Sequence, residues 1–371
     1  MTTGRRNLLA MAAASGVVSQ QAAAQQGITM PAPQSQQGQM PHDFRNKMVG
    51  FMLAHEQFPV PELLRIGAQA SGAGFHLLAT SDHLQPWQAN ERHSGAAWVT
   101  LGALGAQATR SWMGTTVTCP ILRYNPAVVA EAFASLSQLY PGRIFLGVGS
   151  GEALNEQAAT GAWPKWQERW DRLIEAIAVI RALWSGEQVS HRGTYYTVDA
   201  KLYDPPATAI PLLTAANGRK SMRLAGQHGD GLVTDPSTWK QHKAEWEAGA
   251  RDAGKDPARM PVLVEQFVAV GERTGAMEAA QLWRFIPKAF KRYYNVTDPA
   301  QIQQRAEAEI PLEQIVEDWP TGIDPRVHVD KIRALFDSGA SIVNIHSGQM
   351  DQGRVIEFYG REVLPKLGLP A

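Results

Sequence analysis

From residue 47 onward, short apolar runs typical of buried strands alternate with longer segments whose apolar residues recur at helical spacing. Strands that alternate with helices form parallel sheets, and eight such pairs favour a single (β/α)8 barrel, an α/β fold. A doubly wound sheet is the weaker alternative, because no Gly-x-Gly-x-x-Gly run opens a helix after the first strand. The eight predicted strands are Met48–Leu53, Phe75–Thr80, Trp112–Val117, Ile144–Val148, Ile210–Ala215, Gly231–Thr234, Val262–Val270 and Ser341–His346.

One long segment interrupts this alternation. Residues 272–325 lie between the seventh predicted strand and the last one, and they are too numerous for a simple connection in a compact domain. We therefore expect a mostly helical insertion that lies over the mouth of the barrel, ahead of the final strand.

The bulk composition limits the class of protein and its partners. Of the 371 residues, 44% are hydrophobic and 19% are charged, as is usual for a soluble globular protein. The formal net charge is +0 and no basic run carries interleaved aromatic residues, so nothing indicates a nucleic-acid partner. Cys119 is the single cysteine, which excludes an internal disulfide and a zinc site built from cysteines.

The first residues have the features of an export signal. Arg5 and Arg6 form a twin-arginine pair, a short apolar stretch runs to Val18, and small residues at 22–24 offer a cleavage site. We therefore expect residues 1–26 to direct export by the twin-arginine (Tat) machinery to the periplasm or cell envelope. The apolar stretch is too short for a transmembrane helix. A disordered extension with a chance arginine pair is the alternative.

The rest of the chain divides into a linker and a catalytic domain. Residues 27–44 are rich in Gln and Pro and are predicted to form a flexible linker. Residues 45–371 then form the barrel with its insertion. The absence of cysteine pairs fits a protein that folds before it is exported.

The stretch Ser81–Trp87 directly follows the second predicted strand. In a (β/α)8 barrel, the C-terminal ends of the strands form the rim where active sites are built. His83 can act there as a general base near neutral pH, and Asp82 can orient a ring or bind a ligand hydroxyl. Trp87 can wall an apolar pocket or stack on a ring system. The alternatives are an exposed polar loop and ordinary packing of a tryptophan.

A glycine-rich run follows the fourth predicted strand in the same way. The glycines of 147–151 would let a ligand approach the backbone closely, and Glu152 would then serve as an acid near that ligand. A helix that starts near Asn155 would favour an anion. A plain glycine-rich turn in which Asn155 caps the helix is the alternative. Residues 214–218 form a second turn of small residues, after the fifth strand.

His55 and Glu56 follow the first predicted strand at the same rim, and Glu56 is a further acid candidate. A metal site formed by these two residues with Asp82 and His83 would offer ligand types that suit zinc or iron. Adjacent residues at a strand end usually point apart, so we predict no metal site. A serine hydrolase is disfavoured because no Gly-x-Ser-x-Gly turn follows a strand.

Seven motifs, taken together, carry a resemblance to a known family. They are Ser81–Gln88, Thr116–Pro120, Arg123–Val129, Tyr140–Gly149, Gly151–Glu156, Lys201–Asp204 and Leu282–Phe285. From about residue 47 to the C-terminus, the chain resembles the luciferase-like oxidoreductases, and within them the group that uses the deazaflavin coenzyme F420. The likeness includes the hydroxymycolic acid and glucose-6-phosphate dehydrogenases of that group.

The resemblance implies a coenzyme F420-dependent dehydrogenase that moves a hydride between a substrate alcohol and the deazaflavin. His83 would take the hydroxyl proton as general base, and Glu152 would protonate or stabilise the reduced ring. Trp87 would stabilise developing charge or position the substrate, while Glu56 matches an acid near the substrate site of the family. The family also suggests a homodimer.

The resemblance further assigns ligand contacts. A cis peptide bond would fall between Thr116 and Val117. Arg305 would bind substrate where the sugar-phosphate enzymes carry a lysine, but Thr238 stands where they carry another, which disfavours a phosphorylated sugar. Trp283 belongs to an aromatic run that would line a groove for a lipid alcohol, with helix packing as the alternative. The residues assigned to the cofactor are Asp82, Thr116, Val117, Thr118, Asn155, Ala215, Ala216, Asn217 and Gly218.

Two other functions stay open at this point. The same fold serves monooxygenases that depend on flavin mononucleotide (FMN), and an exported barrel without turnover would be a binding protein. The presence of His83, Trp87 and Glu152 together argues against the second alternative. The alcohol itself, a small molecule or a lipid, is not identified by the sequence.

Overall fold

The computed structural model describes residues 43–370, so the predicted export signal and almost all of the predicted linker lie outside the described residues. Eight parallel strands form the barrel in the order β1-β2-β3-β4-β7-β8-β9-β11, and β11 pairs with β1 to close it. This arrangement confirms the predicted (β/α)8 barrel. The strands are β1 (Met48–Leu53), β2 (Leu77–Thr80), β3 (Trp112–Thr118), β4 (Ile144–Val148), β5 (Val189–Arg192), β6 (Thr197–Ala200), β7 (Leu212–Ala215), β8 (Gly231–Thr234), β9 (Val262–Val270), β10 (Thr321–Gly322) and β11 (Ile342–Ser347).

The helices begin at signals that are visible in the sequence. Pro follows an Asp or Asn at several starts, and the side chain of that residue accepts a backbone N–H, as Asn125 does from Ala127 and Asp235 from Thr238. The helices on the outside of the barrel are Val60–Gly72, Ala97–Leu104, Pro126–Leu139, Trp166–Trp184, Arg219–His228, Pro236–Asp252, Pro325–Asp337 and Gln352–Phe358. Shorter turns of helix are Ala89–Glu91, Glu156–Thr160, Pro257–Arg259, Tyr359–Val363 and Leu364–Leu367.

The insertion is mostly helical, as predicted. It also contains the two-residue strand β10, which pairs with the end of β9. Its apolar residues form a cluster with Trp87 and Leu154 from the barrel rim, so the insertion packs on the mouth. Its helical segments are Arg273–Leu282, Ile286–Lys288, Ala289–Tyr293, Pro299–Glu309 and Leu312–Val316.

The lower half of the barrel is filled with side chains. Phe44 is buried against Trp112 and Phe145, with ring centroids 4.8 and 5.3 Å away. Ordered packing therefore begins inside the range that the sequence assigned to the linker. Inward-facing apolar residues from the other strands complete this layer, namely Met48, Leu77, Leu213, Val233, Leu263 and Ile342.

The upper half of the barrel is open. Inward-facing side chains near the C-terminal ends of the strands are only half-buried, although they lie on strands paired on both sides. Alternating residues of a strand share a face, so this partial exposure is exposure to the lumen. The half-buried residues are Val117, Ala215, Glu265 and Phe267.

The structure adds elements that the sequence did not predict. The hairpin of β5 and β6 was missed because most of its residues are exposed and show no apolar alternation. Four of the predicted barrel strands have the observed bounds, and the bounds of the other four differ by one or two residues. Within the described residues, no helix has the length and apolar content needed to cross a bilayer.

Replacing Gly147 by Ala should destabilise the barrel. The added methyl carbon would lie 2.1 Å from the carbonyl oxygen of Thr115, where β3 and β4 run side by side. Overpacking of this kind costs about 1–3 kcal/mol, which is measurable as a lower midpoint of urea unfolding. Gly102→Ala is the matched control: its nearest new contact is 4.0 Å away, and alanine is the better helix former. An unchanged midpoint for Gly147→Ala would contradict this strand packing.

Candidate active site

The ends of β1 and β2 bring an acid and a base together. Glu56 is buried, and its Oε1 lies 3.3 Å from Nδ1 of His83, while its Oε2 accepts a hydrogen bond of 2.7 Å from the Ser81 hydroxyl. Nδ1 of His83 is buried without an aligned hydrogen bond, so its contact with Glu56 becomes an ion pair only when the ring carries a proton on both nitrogens. Since Glu56 faces Nδ1, Nε2 is the ring nitrogen left for a substrate. A carboxylate in this position can stabilise positive charge on the imidazole.

An apolar wall stands beside His83. The ring of Trp87 lies 5.7 Å from that of His83 and stacks on Phe285 of the insertion, with centroids 4.7 Å apart and planes at 15°. The backbone N–H of Phe285 donates to the Gln88 side chain at 3.0 Å, which fixes the insertion to this loop. Trp87 therefore packs as a core residue and also forms one wall of the barrel mouth.

Glu91 anchors the loop that follows Trp87. Its Oε2 accepts the backbone N–H of Gln88 at 2.8 Å. Glu91 is fully buried, and burial, with a smaller contribution from the nearby Glu56, raises its pKa well above the ordinary value. A protonated Glu91 would avoid placing a second charge beside Glu56. The sequence analysis did not single out this residue.

Asp82 is committed to partners within the protein. Its carboxylate accepts hydrogen bonds from Thr118 Oγ1 at 2.7 Å, Arg123 Nη2 at 3.1 Å and Tyr124 OH at 3.2 Å. A carboxylate has about four acceptor positions, so these three bonds leave one of them unused. The structure thus brings Asp82 and Thr118, both assigned to the cofactor, into direct contact. Whether they contact a cofactor stays a prediction.

Arg123 joins the β2 and β4 ends of the barrel. Besides Asp82, it contacts Glu156, whose Oε2 accepts the Arg123 backbone N–H at 2.7 Å and whose Oε1 lies 3.7 Å from Nε. Glu156 is completely buried, and burial raises its pKa to about 7 although Arg123 opposes the rise. Neither Arg123 nor Glu156 was assigned a role from the sequence. Burial likewise raises the pKa of the Cys119 thiol well above its ordinary value.

Asn155 ties the two rim loops together. Its Oδ1 accepts the backbone N–H groups of Leu84 at 2.8 Å and Gln85 at 3.3 Å. Its Nδ2 donates at 3.4 Å to Glu152, which is half-buried at the mouth. Asn155 makes no side-chain capping bond to the short helix that follows it, so the capping alternative is not observed.

His55 is held inside the protein. Its Nδ1 lies 2.9 Å from the Ser81 carbonyl oxygen and its Nε2 lies 2.8 Å from Thr100 Oγ1. Burial lowers the pKa of His55, so the ring stays neutral near physiological pH. Over residues 43–370, no group of three or more His, Cys, Asp or Glu side chains is placed to hold a metal ion.

Small residues form a floor on the β3, β4 and β7 side of the open lumen. The peptide bond between Thr116 and Val117 is cis, as the resemblance implied. A Cβ at Gly149 would lie 2.7 Å from a methyl carbon of Val117 and 3.8 Å from Cβ of Ala215. Val117 and Ala215 are half-buried, so the absence of a side chain at Gly149 leaves a shallow apolar surface. Such a surface fits the face of a planar ring.

The turn after β7 suits an anionic group. Ala216 is buried, Asn217 is exposed and Gly218 precedes the helix Arg219–His228. The backbone N–H groups of Asn217 and Gly218 donate to Ser221 Oγ at 3.3 and 3.1 Å, so the N–H groups of the first helical turn are the ones that would meet an anion. A helix N-terminus with small residues before it can accept a phosphate of a cofactor. The residues present therefore fit a phosphorylated deazaflavin or flavin.

The two residues assigned to the substrate lie in different surroundings. Trp283 is buried at the mouth, where its Nε1 donates to Gln57 Oε1 at 3.2 Å. Arg305 is exposed on the helix Pro299–Glu309, and no hydrogen bond or ion pair connects it with the described rim residues. Thr238 donates to Asp235 at 2.5 Å at the start of its own helix. A role for Trp283 or Arg305 in substrate binding stays a prediction.

Replacing Glu156 by Gln should change how stability depends on pH. The pKa of Glu156 is about 7 in the folded protein against an ordinary value of 4.5, so the folded state binds more protons between these values. The stabilisation is full below the ordinary pKa and is lost as pH rises through the folded one. Relative to wild type, Glu156→Gln should therefore gain in unfolding midpoint between about pH 5.5 and about pH 8. The exposed Glu131→Gln should show no such trend, and a parallel trend in both variants would contradict the assignment.

Comparison with known proteins agrees with this geometry. Residues 36–341 match the family model of the luciferase-like monooxygenases. The chain is 46% identical over 322 residues to the F420-dependent hydroxymycolic acid dehydrogenase of Mycobacterium tuberculosis, an alignment that spans 86% of this chain and 88% of that protein. It is 38% identical over 325 residues to the F420-dependent glucose-6-phosphate dehydrogenase of Nakamurella multipartita, spanning 86% of this chain and 96% of the relative.

A solved structure supports the same assignment. An F420-dependent secondary alcohol dehydrogenase in complex with an F420-acetone adduct superposes with a TM-score of 0.83 at 33% identity. The superposition spans 87% of this chain and 99% of that one. The chain therefore belongs to the luciferase-like monooxygenase family.

Proposed function

We propose that this protein is a coenzyme F420-dependent oxidoreductase that transfers a hydride between the carbinol carbon of an alcohol and the deazaflavin. The observation that carries the proposal is the pair of His83 and Glu56 at the mouth of the barrel. His83 is the group that can take the hydroxyl proton, and it lies beside Trp87 at the opening of the lumen. The relatives named above, all F420-dependent dehydrogenases, support the cofactor and the reaction class.

The residues of the chain would divide the work as follows. When bound, the deazaflavin would supply the acceptor for the hydride. His83 would take the hydroxyl proton through Nε2, and the buried Glu56 would balance the resulting positive charge at Nδ1. Glu152, half-buried and in contact with Asn155, would act as the acid near the cofactor. Trp87 and Phe285 would exclude water from the reacting atoms.

The cofactor would lie on the floor formed by Val117, Gly149 and Ala215. Asp82 has one acceptor position left and would contact the ring from the β2 side. The phosphate of the cofactor would lie at the turn of Asn217 and Gly218, at the start of the helix after β7. FMN has a ring and a phosphate of the same kinds, which is why the family name alone does not decide between the two cofactors.

Export is a separate proposal that rests on the sequence. The paired Arg5 and Arg6 support recognition by the Tat machinery, with the periplasm or cell envelope as destination. Changing both to Lys should move most of the protein from the periplasmic fraction into the cytoplasm of a bacterial host that has the Tat machinery. Conversion of Lys47 to Arg is the control for a charge-conserving change.

We also propose a homodimer, which sedimentation of the purified protein would test against a monomer.

Cofactor titration tests the proposed function directly. We expect coenzyme F420 to quench the tryptophan fluorescence of the full chain with an affinity at least about tenfold above that for FMN. Replacing His83 by Ala should lower kcat for alcohol-dependent reduction of the coenzyme by about 10²–10⁴-fold, because the proton acceptor is lost. Cofactor affinity should change little, since His83 acts on the substrate hydroxyl.

The outcomes of this experiment are distinct. His242→Ala, on the outer helix Pro236–Asp252, is the matched histidine control and should retain kcat. Preference for FMN would favour a monooxygenase, and binding of neither cofactor would favour a binding protein without turnover. Full activity of His83→Ala would overturn the assignment of the base.

A further inference from the structure

A second carboxylate–histidine pair faces the lumen from β9 and β11. Leu263 of β9 and Ile342 of β11 belong to the filled interior layer. Glu265 lies two residues after Leu263, and His346 lies four residues after Ile342. Because every second residue of a strand faces the same side, both point inward as well. His346 Nδ1 lies 2.7 Å from Glu265 Oε1. Neither residue was a candidate in the sequence analysis, and the proposed hydride transfer does not use them.

The two members of this pair differ in exposure. His346 is 1% exposed, and its Nε2 has no hydrogen-bond partner among the described residues. The side chain of Glu265 is 24% exposed although β9 is paired on both sides, so the carboxylate meets the solvent of the open lumen. One oxygen of this carboxylate contacts His346, and the remaining lone pairs can accept hydrogen bonds from a ligand.

Aromatic residues hold the histidine ring in place. Phe267 stacks on His346 with centroids 4.0 Å apart, and Trp283 meets it at 75° with centroids 4.3 Å apart. Trp283 is itself fixed by Gln57, whose amide also donates to the Gly348 carbonyl oxygen at 2.6 Å. The pair is therefore pre-organised, which lowers the entropic cost of binding a ligand.

A continuous row of rings connects this pair with the proposed base. Trp87 contacts His83 and Phe285, with centroids at 5.7 and 4.7 Å. Phe285 contacts Trp283 at 5.8 Å, and Trp283 contacts His346. The mouth thus has polar groups at both ends of one apolar wall. A molecule along this wall would meet His83 at one end and Glu265 with His346 at the other.

The charges at the mouth restrict the ligand further. Glu56, Glu152 and Glu265 are all acidic, whereas Arg123 is engaged by Asp82 and Glu156. An anionic group near Glu265 would be desolvated beside a like charge, which is unfavourable. A hydroxyl group would instead donate to the carboxylate.

We propose that Glu265 and His346 form a substrate-recognition site for a hydroxyl group other than the one that reacts. The substrate class is an uncharged alcohol with a second hydroxyl separated from the reacting carbinol by an apolar stretch. Glu265 accepts the hydrogen bond of that hydroxyl, and His346 fixes the carboxylate. This inference rests on the proposed dehydrogenase function and adds the substrate class to it.

The test compares substrates that differ by one group. With the full chain and coenzyme F420, kcat/KM is measured for a series of secondary alcohols and for the corresponding diols with a terminal hydroxyl, and for glucose against glucose 6-phosphate. Wild type should prefer the best diol over its mono-alcohol by about tenfold or more, as expected for a hydrogen bond to a charged acceptor. It should also prefer glucose over its phosphate.

Variants assign the preference to the pair. Glu265→Gln should lower the diol to mono-alcohol ratio about tenfold and should raise the relative efficiency with glucose 6-phosphate. His346→Gln should move the diol ratio in the same direction, because the carboxylate loses the ring that fixes it. Glu187→Gln, exposed and outside the barrel mouth, is the matched control and should retain both ratios.

The readings separate this inference from the proposed function. The recognition site is wrong, and the dehydrogenase function stands, if wild type reduces the coenzyme with alcohols but shows no preference for diols. The same holds if both variants keep the diol preference of wild type. A preference for glucose 6-phosphate over glucose would also overturn it. If no alcohol is oxidised, the proposed function fails. The site is then tested alone by the increase in melting temperature that each diol causes, compared between wild type and Glu265→Gln. Equal increases in both proteins would overturn it.

Discussion

Closure of the parallel sheet into a barrel is the constraint on which the rest of this structure depends. In a closed parallel barrel all strands end at one rim, so side chains that follow different strands become neighbours there. Glu56 and His83 meet in this way at the ends of β1 and β2. Close approach of β3 and β4 is possible because Gly147 has no Cβ to strike the Thr115 carbonyl oxygen.

The barrel is filled at one end and open at the other, and this asymmetry creates the site. Phe44 packs against Trp112 and Phe145 and so fills the interior of the barrel at its base. Small residues at the opposite end, such as Ala215 and Gly149, leave the lumen partly open. Packed interiors have few voids, so an open lumen lined by half-buried side chains indicates a binding site.

Two kinds of contact hold the mouth in shape. Buried charge is paired, since Arg123 lies between Asp82 and Glu156 and so connects loops from β2 and β4. Apolar contact joins the insertion to the rim, where Phe285 stacks on Trp87. The barrel therefore carries the groups proposed to exchange protons, whereas the insertion supplies Phe285 and Trp283 to the apolar wall. Changes in the insertion could then alter substrate choice while the chemistry is kept.

The sequence alone determined the architecture and the rim. The alternation of apolar runs with helical periodicity indicated eight strands, and the positions of Glu56, His83 and Glu152 just after strands indicated the catalytic end. Local periodicity reports which face of an element is buried, and that information is contained in neighbouring residues. The motifs added the family and the cis peptide bond between Thr116 and Val117, which the structure contains.

Only the tertiary structure decided which side chains meet. Two pairs of contacting residues have members that lie far apart in the chain, namely Arg123 with Glu156 and Glu265 with His346. The local sequence around each residue does not indicate which partner it contacts. Their contacts depend on which strands become neighbours and on strand register, which pairs Asn344 with Glu265 and His346 with Phe267. The hairpin of β5 and β6 was also not predicted from the sequence, since it buries little apolar surface. A linear pattern fixes the direction of a side chain, but the group beside it is fixed only when the strands pair in register.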